Sequence, residues 1–127
     1  MRLVDTSAWI EWLLGSALGQ RLDSQFPARR EQLVPTIVQL ELAVWARREL
    51  TRADARGIIA DSTRCILVPL DTDIALRAAN LRHEHKLATA DAIIYATALA
   101  HDADLLTCDA HFEGLPQVLY VPKASQS

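Results

Sequence analysis

The sequence predicts an α/β fold in which about five parallel strands form one sheet with helices on both faces. Short apolar segments alternate along the chain with longer segments of helical periodicity, as expected of parallel strands joined by crossover helices. Neither a repeat nor a linker-like stretch interrupts this pattern. The 127 residues are enough for one compact core, so we expect a single domain over residues 1–127.

The composition is that of an ordinary globular protein, with half of the residues hydrophobic and a formal net charge of −3. No apolar run approaches the ~18 residues of a membrane span, and Asp5 and Glu11 interrupt the segment where a signal peptide would be apolar. Cys65 and Cys108 are expected to be reduced core residues. We therefore expect a cytoplasmic protein without a membrane partner. The negative charge excludes a generic basic coat for nucleic acid.

Eleven elements follow from the apolar pattern. In chain order they are strand 3–4, helix 8–14, helix 17–25, strand 32–34, helix 37–45, helix 52–63, strand 66–68, helix 73–85, helix 90–99, strand 105–107 and strand 118–121. Short, wholly apolar segments are assigned to strands, and segments with apolar residues three and four apart are assigned to helices. The tail KASQS, after about residue 122, is expected to be loosely held.

Most of these helices have a candidate capping residue at their start. The candidates are Thr6 or Ser7, Thr36, Thr51, Asp71 or Thr72, and Thr89. Thr36 is followed three residues later by Gln39, which is the spacing of a capping box. Gly15 is expected to end the first helix.

Four acidic residues are not explained simply by a solvated surface: Asp5, Glu41, Asp91 and Asp109. Asp5 and Asp109 each follow a predicted strand, where a turn or capping role is an equally good explanation. Glu41 lies in the second turn of its helix with apolar residues three and four positions away on both sides. Asp91 begins the otherwise apolar run LATADAIIYATAL, where the helix dipole favours an anion by ~0.3–1 kcal/mol.

The predicted topology brings these four carboxylates towards one edge, because parallel strands end at a shared edge where ligands bind. Placing Asp91 there requires the chain between His85 and Thr89 to lie at that edge, which the pattern does not explain. Converging carboxylates repel one another unless a cation neutralises them, and oxygen ligands favour Mg²⁺ or Mn²⁺. His83 and His85 diverge on a helix and make a poor zinc site. Metal-assisted phosphodiester hydrolysis is the chemistry that such an edge suggests.

Three segments resemble the PIN-domain family: VDTSAWIEWL, PTIVQLELAVWAR and LATADAIIYATALAHDADLLTCDAHFEGL. They occur in the family's order and, more narrowly, resemble the VapC-type toxins of bacterial toxin–antitoxin pairs. The resemblance implies a PIN-like fold and a metal-dependent endoribonuclease whose four acids match Asp5, Glu41, Asp91 and Asp109. It implies direct binding of Mg²⁺ or Mn²⁺ by Asp5 and Asp91, and binding by Glu41 and Asp109 directly or through water. Thr6 and Thr107 match hydroxyl positions that orient ligands or water.

The resemblance also implies partners and products. The expected partners are an RNA substrate, a second copy of the chain in a homodimer, and a cognate antitoxin that wraps the toxin in a hetero-oligomer and directs a basic side chain at the acidic site. The expected products carry a 5′-phosphate and a 3′-hydroxyl. The sequence names neither the RNA nor the number of metal ions. Residues 47–64 carry no motif, and substrate specificity could depend on them.

Two other functions are considered. A phospho-receiver domain would use Asp5, Asp71 and Lys123, but it needs paired acids after the first strand, where this chain has Thr6 and Ser7. It would also leave Glu41 and Asp91 without a role. The second alternative is a catalytically inactive PIN-like binding module, against which the four intact acids argue.

Overall fold

A computed structural model describes residues 1–123, which contain five strands and six α-helices. They are β1 Arg2–Val4, α1 Thr6–Leu14, α2 Ala17–Leu22, β2 Gln32–Pro35, α3 Thr36–Glu49, α4 Arg52–Ser62, β3 Ile66–Val68, α5 Thr72–His85, α6 Thr89–Ala100, β4 Asp104–Thr107 and β5 Val118–Tyr120. This order agrees with the one predicted from the apolar pattern. The prediction of a loosely held tail falls on residues that lie largely outside the described ones.

All five strands are parallel, in the order β3-β2-β1-β4-β5. The chain first moves from β1 towards β3 and then returns to add β4 and β5 on the other side. Right-handed crossovers therefore place α1 to α4 on one face of the sheet and α5 and α6 on the other. The predicted fold class is confirmed, and the direction of winding reverses between β1 and β4, where open parallel sheets bind ligands.

The strand order also rules out the receiver-type arrangement, which has the order 2-1-3-4-5. Asp71, the residue that a receiver would phosphorylate, instead caps α5, because its Oδ1 accepts a hydrogen bond from the backbone N–H of Ile74 at 2.9 Å. The phospho-receiver alternative is therefore wrong.

The core lies between the sheet and its helices and explains why α6 is so apolar. Seven consecutive residues of α6, from Ala92 to Ala98, are buried. The central strands contribute side chains with no exposed surface, among them Leu3, Val4, Leu33, Val34, Leu105 and Leu106. Cys65 and Cys108 are buried and unbonded, as predicted, and burial raises the pKa of the Cys108 thiol to about 11. No helix within residues 1–123 is both long and apolar enough to cross a membrane.

Helix termini agree only in part with the capping predictions. Thr51 accepts a hydrogen bond from the backbone N–H of Asp54 and caps α4, and Asp71 caps α5. Gly15 ends α1 with a left-handed φ of 64°, a conformation that glycine adopts without steric cost.

The capping role considered for Asp5 is confirmed at α1, and the capping roles predicted for Thr6 and Ser7 are wrong. Neither Thr6 nor Ser7 is the N-cap; that residue is Asp5, whose Oδ1 accepts from the backbone N–H of Thr6 at 2.8 Å. The hydroxyls of Thr6 and Ser7 instead donate to carboxylates. A carboxylate is the stronger acceptor and already lies at the end of β1, so the hydroxyls take other partners.

The predicted caps of α3 and α6 are also wrong. Pro35 and Ala88 occupy the N-cap positions and provide no side-chain acceptor, so Thr36 and Thr89 are the first helical residues. Gln39 does not close a capping box, because its side chain donates to a hydroxyl of α4. Each of these two helices therefore begins one residue earlier than predicted, with its threonine as the first helical residue and not as the N-cap.

Two helices, α5 and α6, connect β3 to β4. Lys86, with a left-handed φ of 57°, ends α5, and α6 begins after a short turn and packs against α5 as a helical pair. The end of α6 is tied to the start of β4 by a hydrogen bond from the N–H of Ala103 to the carbonyl of Ala98. Because α6 leads to the start of β4, its own first turn lies at the opposite edge of the sheet, where the strands end.

Candidate metal centre

The structure brings the four predicted acids together at the edge where the strands end. Asp5 follows β1, Asp109 lies beyond the end of β4, Glu41 lies in the second turn of α3, and Asp91 lies in the first turn of α6. The negative charges of Asp109, Asp5 and Glu41 each raise the pKa of Asp91. The cluster therefore combines side chains from both sides of the point where the sheet changes its direction of winding.

Asp5 is the most enclosed of the four, with 3% of its surface exposed. Its Oδ1 accepts from the backbone N–H of Thr6 at 2.8 Å. Its Oδ2 accepts from Ser7 Oγ at 2.8 Å and from Thr107 Oγ1 at 2.7 Å. Burial raises the pKa of Asp5, while these three hydrogen bonds oppose the rise. The carboxylate is thereby held in one orientation.

The two threonines singled out in the sequence each contact an acid of the cluster. Thr6 Oγ1 donates to Glu41 Oε1 at 2.6 Å, which joins the start of α1 to α3. Thr107 is fully buried; it donates to Asp5, and its hydroxyl accepts from the backbone N–H of Asp109 at 3.0 Å. Thr6 and Thr107 together form hydrogen bonds with Glu41, with Asp5 and with the backbone N–H of Asp109, but not with Asp91.

Asp91 is held differently, because no donor in residues 1–123 forms a hydrogen bond to its carboxylate. Burial, followed by repulsion from Asp109, Asp5 and Glu41, raises its pKa to about 6. His111 opposes this rise, but its Nδ1 lies 3.9 Å from Asp91 Oδ2 and 77% of its side chain is exposed. Asp91 is thus a partly buried carboxylate among like charges.

Sequence reasoning missed two residues of the site, Ser7 and His111. Ser7 was considered only as a cap, yet its Oγ donates to Asp5 and accepts from the backbone N–H of Cys108 at 3.1 Å. His111 Nδ1 lies 3.0 Å from Asp109 Oδ1, and ligand atoms of Asp91, Asp109 and His111 all lie within 4.8 Å of one another. Each missed residue lies two positions after an acid at the end of a strand, and that spacing could have indicated them.

The residues present fit a hard divalent cation. The available ligands are carboxylate oxygens, and among residues 1–123 only the exposed His111, which is charged only when protonated, lies within 4 Å of them as a basic group. A partly buried carboxylate without a donor is destabilised unless a cation is near it. Oxygen donors favour Mg²⁺ or Mn²⁺ over Zn²⁺, which prefers histidine and cysteine. The buried Cys108 uses its backbone in this network and keeps a thiol of raised pKa.

The fold is an open parallel α/β sheet, and the carboxylate cluster lies where the direction of winding reverses between β1 and β4. These two features define a class of α/β protein with an acidic site at the edge of the sheet. The chain belongs to the PIN-domain family, whose sequence profile matches residues 2–117. It is similar to a chain of a toxin–antitoxin complex from Klebsiella pneumoniae, with 28% identity, a TM-score of 0.81 and coverage of 94% of this chain and 96% of that one. Comparison with curated protein sequences found no significant match.

Other solved structures share the fold at lower identity. VapBC2 from Rickettsia felis, bound to a DNA fragment from its promoter, has a TM-score of 0.73 at 14% identity and covers 97% of this chain and 98% of its own. VapC20 from Mycobacterium tuberculosis, described as a toxin that cleaves the sarcin–ricin loop, has a TM-score of 0.64 at 22% identity, covering 91% and 92%. At these identities the similarities show that the chain shares the fold of these proteins.

Proposed function

We propose that the chain is a Mg²⁺- or Mn²⁺-dependent endoribonuclease and the toxin of a toxin–antitoxin pair. The observation that supports this best is Asp91, whose carboxylate has three acidic neighbours and, within residues 1–123, no hydrogen-bond donor. A divalent cation would relieve this repulsion and could supply the activated water and the charge neutralisation for phosphodiester hydrolysis. Family membership and the RNA-cleaving activity of VapC20 add support.

A bound Mg²⁺ or Mn²⁺ would activate a water for in-line attack on phosphorus and neutralise charge on the attacked phosphate and the leaving oxygen. Asp5 and Asp91 would hold it directly, while Glu41 and Asp109 would do so directly or through water. The hydrogen bonds to Asp5 already hold its carboxylate in one orientation. This side chain would therefore lose little conformational freedom when the cation binds. The expected products carry a 5′-phosphate and a 3′-hydroxyl.

The hydroxyls of Thr6 and Thr107 would keep Glu41 and Asp5 aimed at the shared space. Both hydroxyls donate to these carboxylates without a bound cation, so the role we assign to them is positioning rather than catalysis. Ser7 would act with Thr107, because their hydroxyl oxygens lie 3.3 Å apart and both donate to the same oxygen of Asp5.

We infer an antitoxin partner from the toxin–antitoxin complex of Klebsiella pneumoniae, which has the highest identity among these structures. The charge of the site supports the same inference. A cluster of carboxylates with little positive charge nearby would bind a basic side chain from a partner and thereby exclude the metal. A homodimer is proposed on family resemblance alone.

Incubation of the purified protein with RNA tests the proposed function. Cleavage is expected with Mg²⁺ or Mn²⁺, and EDTA should abolish it. The 5′-phosphate and 3′-hydroxyl termini can be checked by ligation of the products. RNA that stays intact at every metal concentration, together with a melting temperature that neither ion changes, would instead favour the inactive binding module.

A further inference from the structure

A second charged region lies at the end of α3 that is distant from Glu41. A cavity of about 660 Å³ opens where α3 meets α4 and is lined by Arg47, Leu50, Arg52, Ala55 and Arg56. We call the three arginines and the space between them the arginine pocket. All three arginines are exposed, while Leu50 and Ala55 are partly buried beneath them. No part of this pocket belongs to the carboxylate cluster.

The arginine pocket carries positive charge that is not neutralised locally. None of its three arginines forms an ion pair within the part of the chain that the structure describes. Neighbouring arginines do: Arg48 binds Glu49, and Arg29 binds Asp61 at the other end of α4. Asp54 and Glu49 lie nearby in sequence, but no carboxylate lines the pocket. The net charge of the chain is −3, so this positive charge is a local feature of the surface.

The chemistry of the pocket favours an anion with several oxygen acceptors. Guanidinium groups are donors only, remain charged at any physiological pH, and form paired hydrogen bonds with phosphate. The first turn of α4 adds little, because Thr51 already caps it and Asp54 already complements its dipole. The arginines therefore account for most of the attraction.

We propose that the arginine pocket binds backbone phosphates of the RNA that the carboxylate cluster cleaves, an inference that rests on the proposed function. The cluster repels a polyanion, so affinity for RNA must come from elsewhere on the surface. Glu41 and Arg47 are six residues apart on α3, which is about 9 Å along the helix axis and about a third of a turn around it. RNA that passes from the cluster partly around α3 would reach the pocket within a few nucleotides. The arginines are positioning residues, since they lie away from the reacting phosphate.

A double variant, Arg52→Gln with Arg56→Gln, tests this proposal. Glutamine preserves helix propensity and a polar side chain without the charge. The matched control is Arg30→Gln, because Arg30 is also exposed and without an ion pair in residues 1–123 but lies near the opposite end of α4. Binding of a fluorescein-labelled single-stranded RNA is measured by anisotropy in EDTA, where RNA stays intact, over a series of salt concentrations.

The double variant should bind RNA at least tenfold more weakly, and its salt dependence should fall by about 0.7 per lost phosphate contact. In Mg²⁺ its KM should rise while kcat stays within about twofold of the unaltered protein. Arg30→Gln should match the unaltered protein in each measurement. Arg47→Gln, on the other helix, should weaken binding in the same direction and tests the pocket without changing α4.

Unchanged affinity and salt dependence in the double variant would overturn the inference, as would an equal loss in Arg30→Gln. Unchanged RNA binding together with lost binding of a poly-glutamate peptide would assign the pocket to an acidic protein segment instead. If the unaltered protein cleaves RNA and the double variant behaves identically, only this inference fails. If the unaltered protein neither cleaves nor binds RNA, the proposed function fails with it.

Discussion

Asp5 and Asp91 belong to the same cluster but lie in regions of opposite character. Asp5, at the end of β1, is almost fully buried and accepts three hydrogen bonds from residues of two elements. Asp91, at the start of α6, is less buried, accepts no hydrogen bond within residues 1–123, and has a pKa raised to about 6 by burial and by its acidic neighbours. Hydrogen bonds within the protein satisfy the carboxylate of Asp5 at the strand end. No hydrogen bond within residues 1–123 satisfies the carboxylate of Asp91 at the helix start.

This difference indicates a division of roles. The network around Asp5 fixes a ligand in place, so its loss should damage both the structure and the site. The apolar α6 presents a carboxylate whose burial and repulsion are unrelieved by the protein, so its removal should damage the site and stabilise the metal-free structure. The predictions below test this contrast, from the largest expected effect to the smallest.

Asp91→Asn should lower RNA cleavage at least 100-fold, because a lost metal ligand costs more than the 10–100-fold seen when only a supporting group is removed. Initial rates in Mg²⁺ and Mn²⁺ measure the effect. The matched control is Asp102→Asn, since Asp102 is exposed with a left-handed φ of 52° that asparagine also tolerates. Full activity of Asp91→Asn would remove Asp91 from the proposed site.

Thr107→Val should lower the free energy of unfolding by about 2 kcal/mol and reduce cleavage 10–100-fold, because Asp5 loses a buried donor. Thr97→Val is the control: Thr97 is equally buried, but its hydroxyl bonds only to the carbonyl of Ile93 in its own helix. Denaturant unfolding and initial rates measure both variants. Equal effects at the two threonines would show that the network around Asp5 has no special role.

Asp91→Asn should raise the stability of the metal-free protein by about 1 kcal/mol, since asparagine keeps the shape and removes the repelled charge. For a chain of this length the melting temperature should rise by about 4 °C. Thermal unfolding in EDTA at pH 7.5 measures it. A destabilised variant would mean that the Asp91 carboxylate is satisfied by contacts within the protein, as Asp5 is.

His111→Ala should have the smallest effect and leave Mg²⁺- and Mn²⁺-dependent cleavage within about threefold. The side chain of His111 is 77% exposed, and exposed ion pairs contribute ~0–1 kcal/mol. Metal titrations of the rate measure the apparent affinity. A loss of more than tenfold would instead identify His111 as a metal ligand and favour a softer ion than Mg²⁺.

The fold was predictable because each strand is a short apolar segment and each helix has a separate periodic pattern. The errors are local and concern helix starts, and at α1 the error comes from competition between acceptors. Thr6 was expected to cap α1, but the Asp5 carboxylate takes that role and leaves the Thr6 hydroxyl to bind Glu41. A local pattern does not show which acceptor lies nearest in space.

The acids of the site could be chosen from the sequence because each conflicts with its apolar surroundings or ends a strand. The hydrogen bonds that support these acids could not be predicted from the sequence, because they join distant segments of the chain. Ser7 and Thr107, for example, are 100 residues apart in sequence. Asp91 was placed at this edge because its helix must lead into β4, although the pattern around residues 85–89 did not explain how the chain reaches the start of that helix. The structure supplies the explanation, which is that α5 and α6 form a pair and α6 leads back to β4.

The central claim is that Asp91 is satisfied by a divalent cation, and a titration of melting temperature with Mn²⁺ tests it most directly. A site that binds only the folded state adds ~2.7 kcal/mol of stability at a hundred times its Kd. The melting temperature of the unaltered protein should therefore rise by several degrees with Mn²⁺, while that of Asp91→Asn should stay constant. A melting temperature that Mn²⁺ leaves unchanged in the unaltered protein, or raises equally in both proteins, would contradict the account.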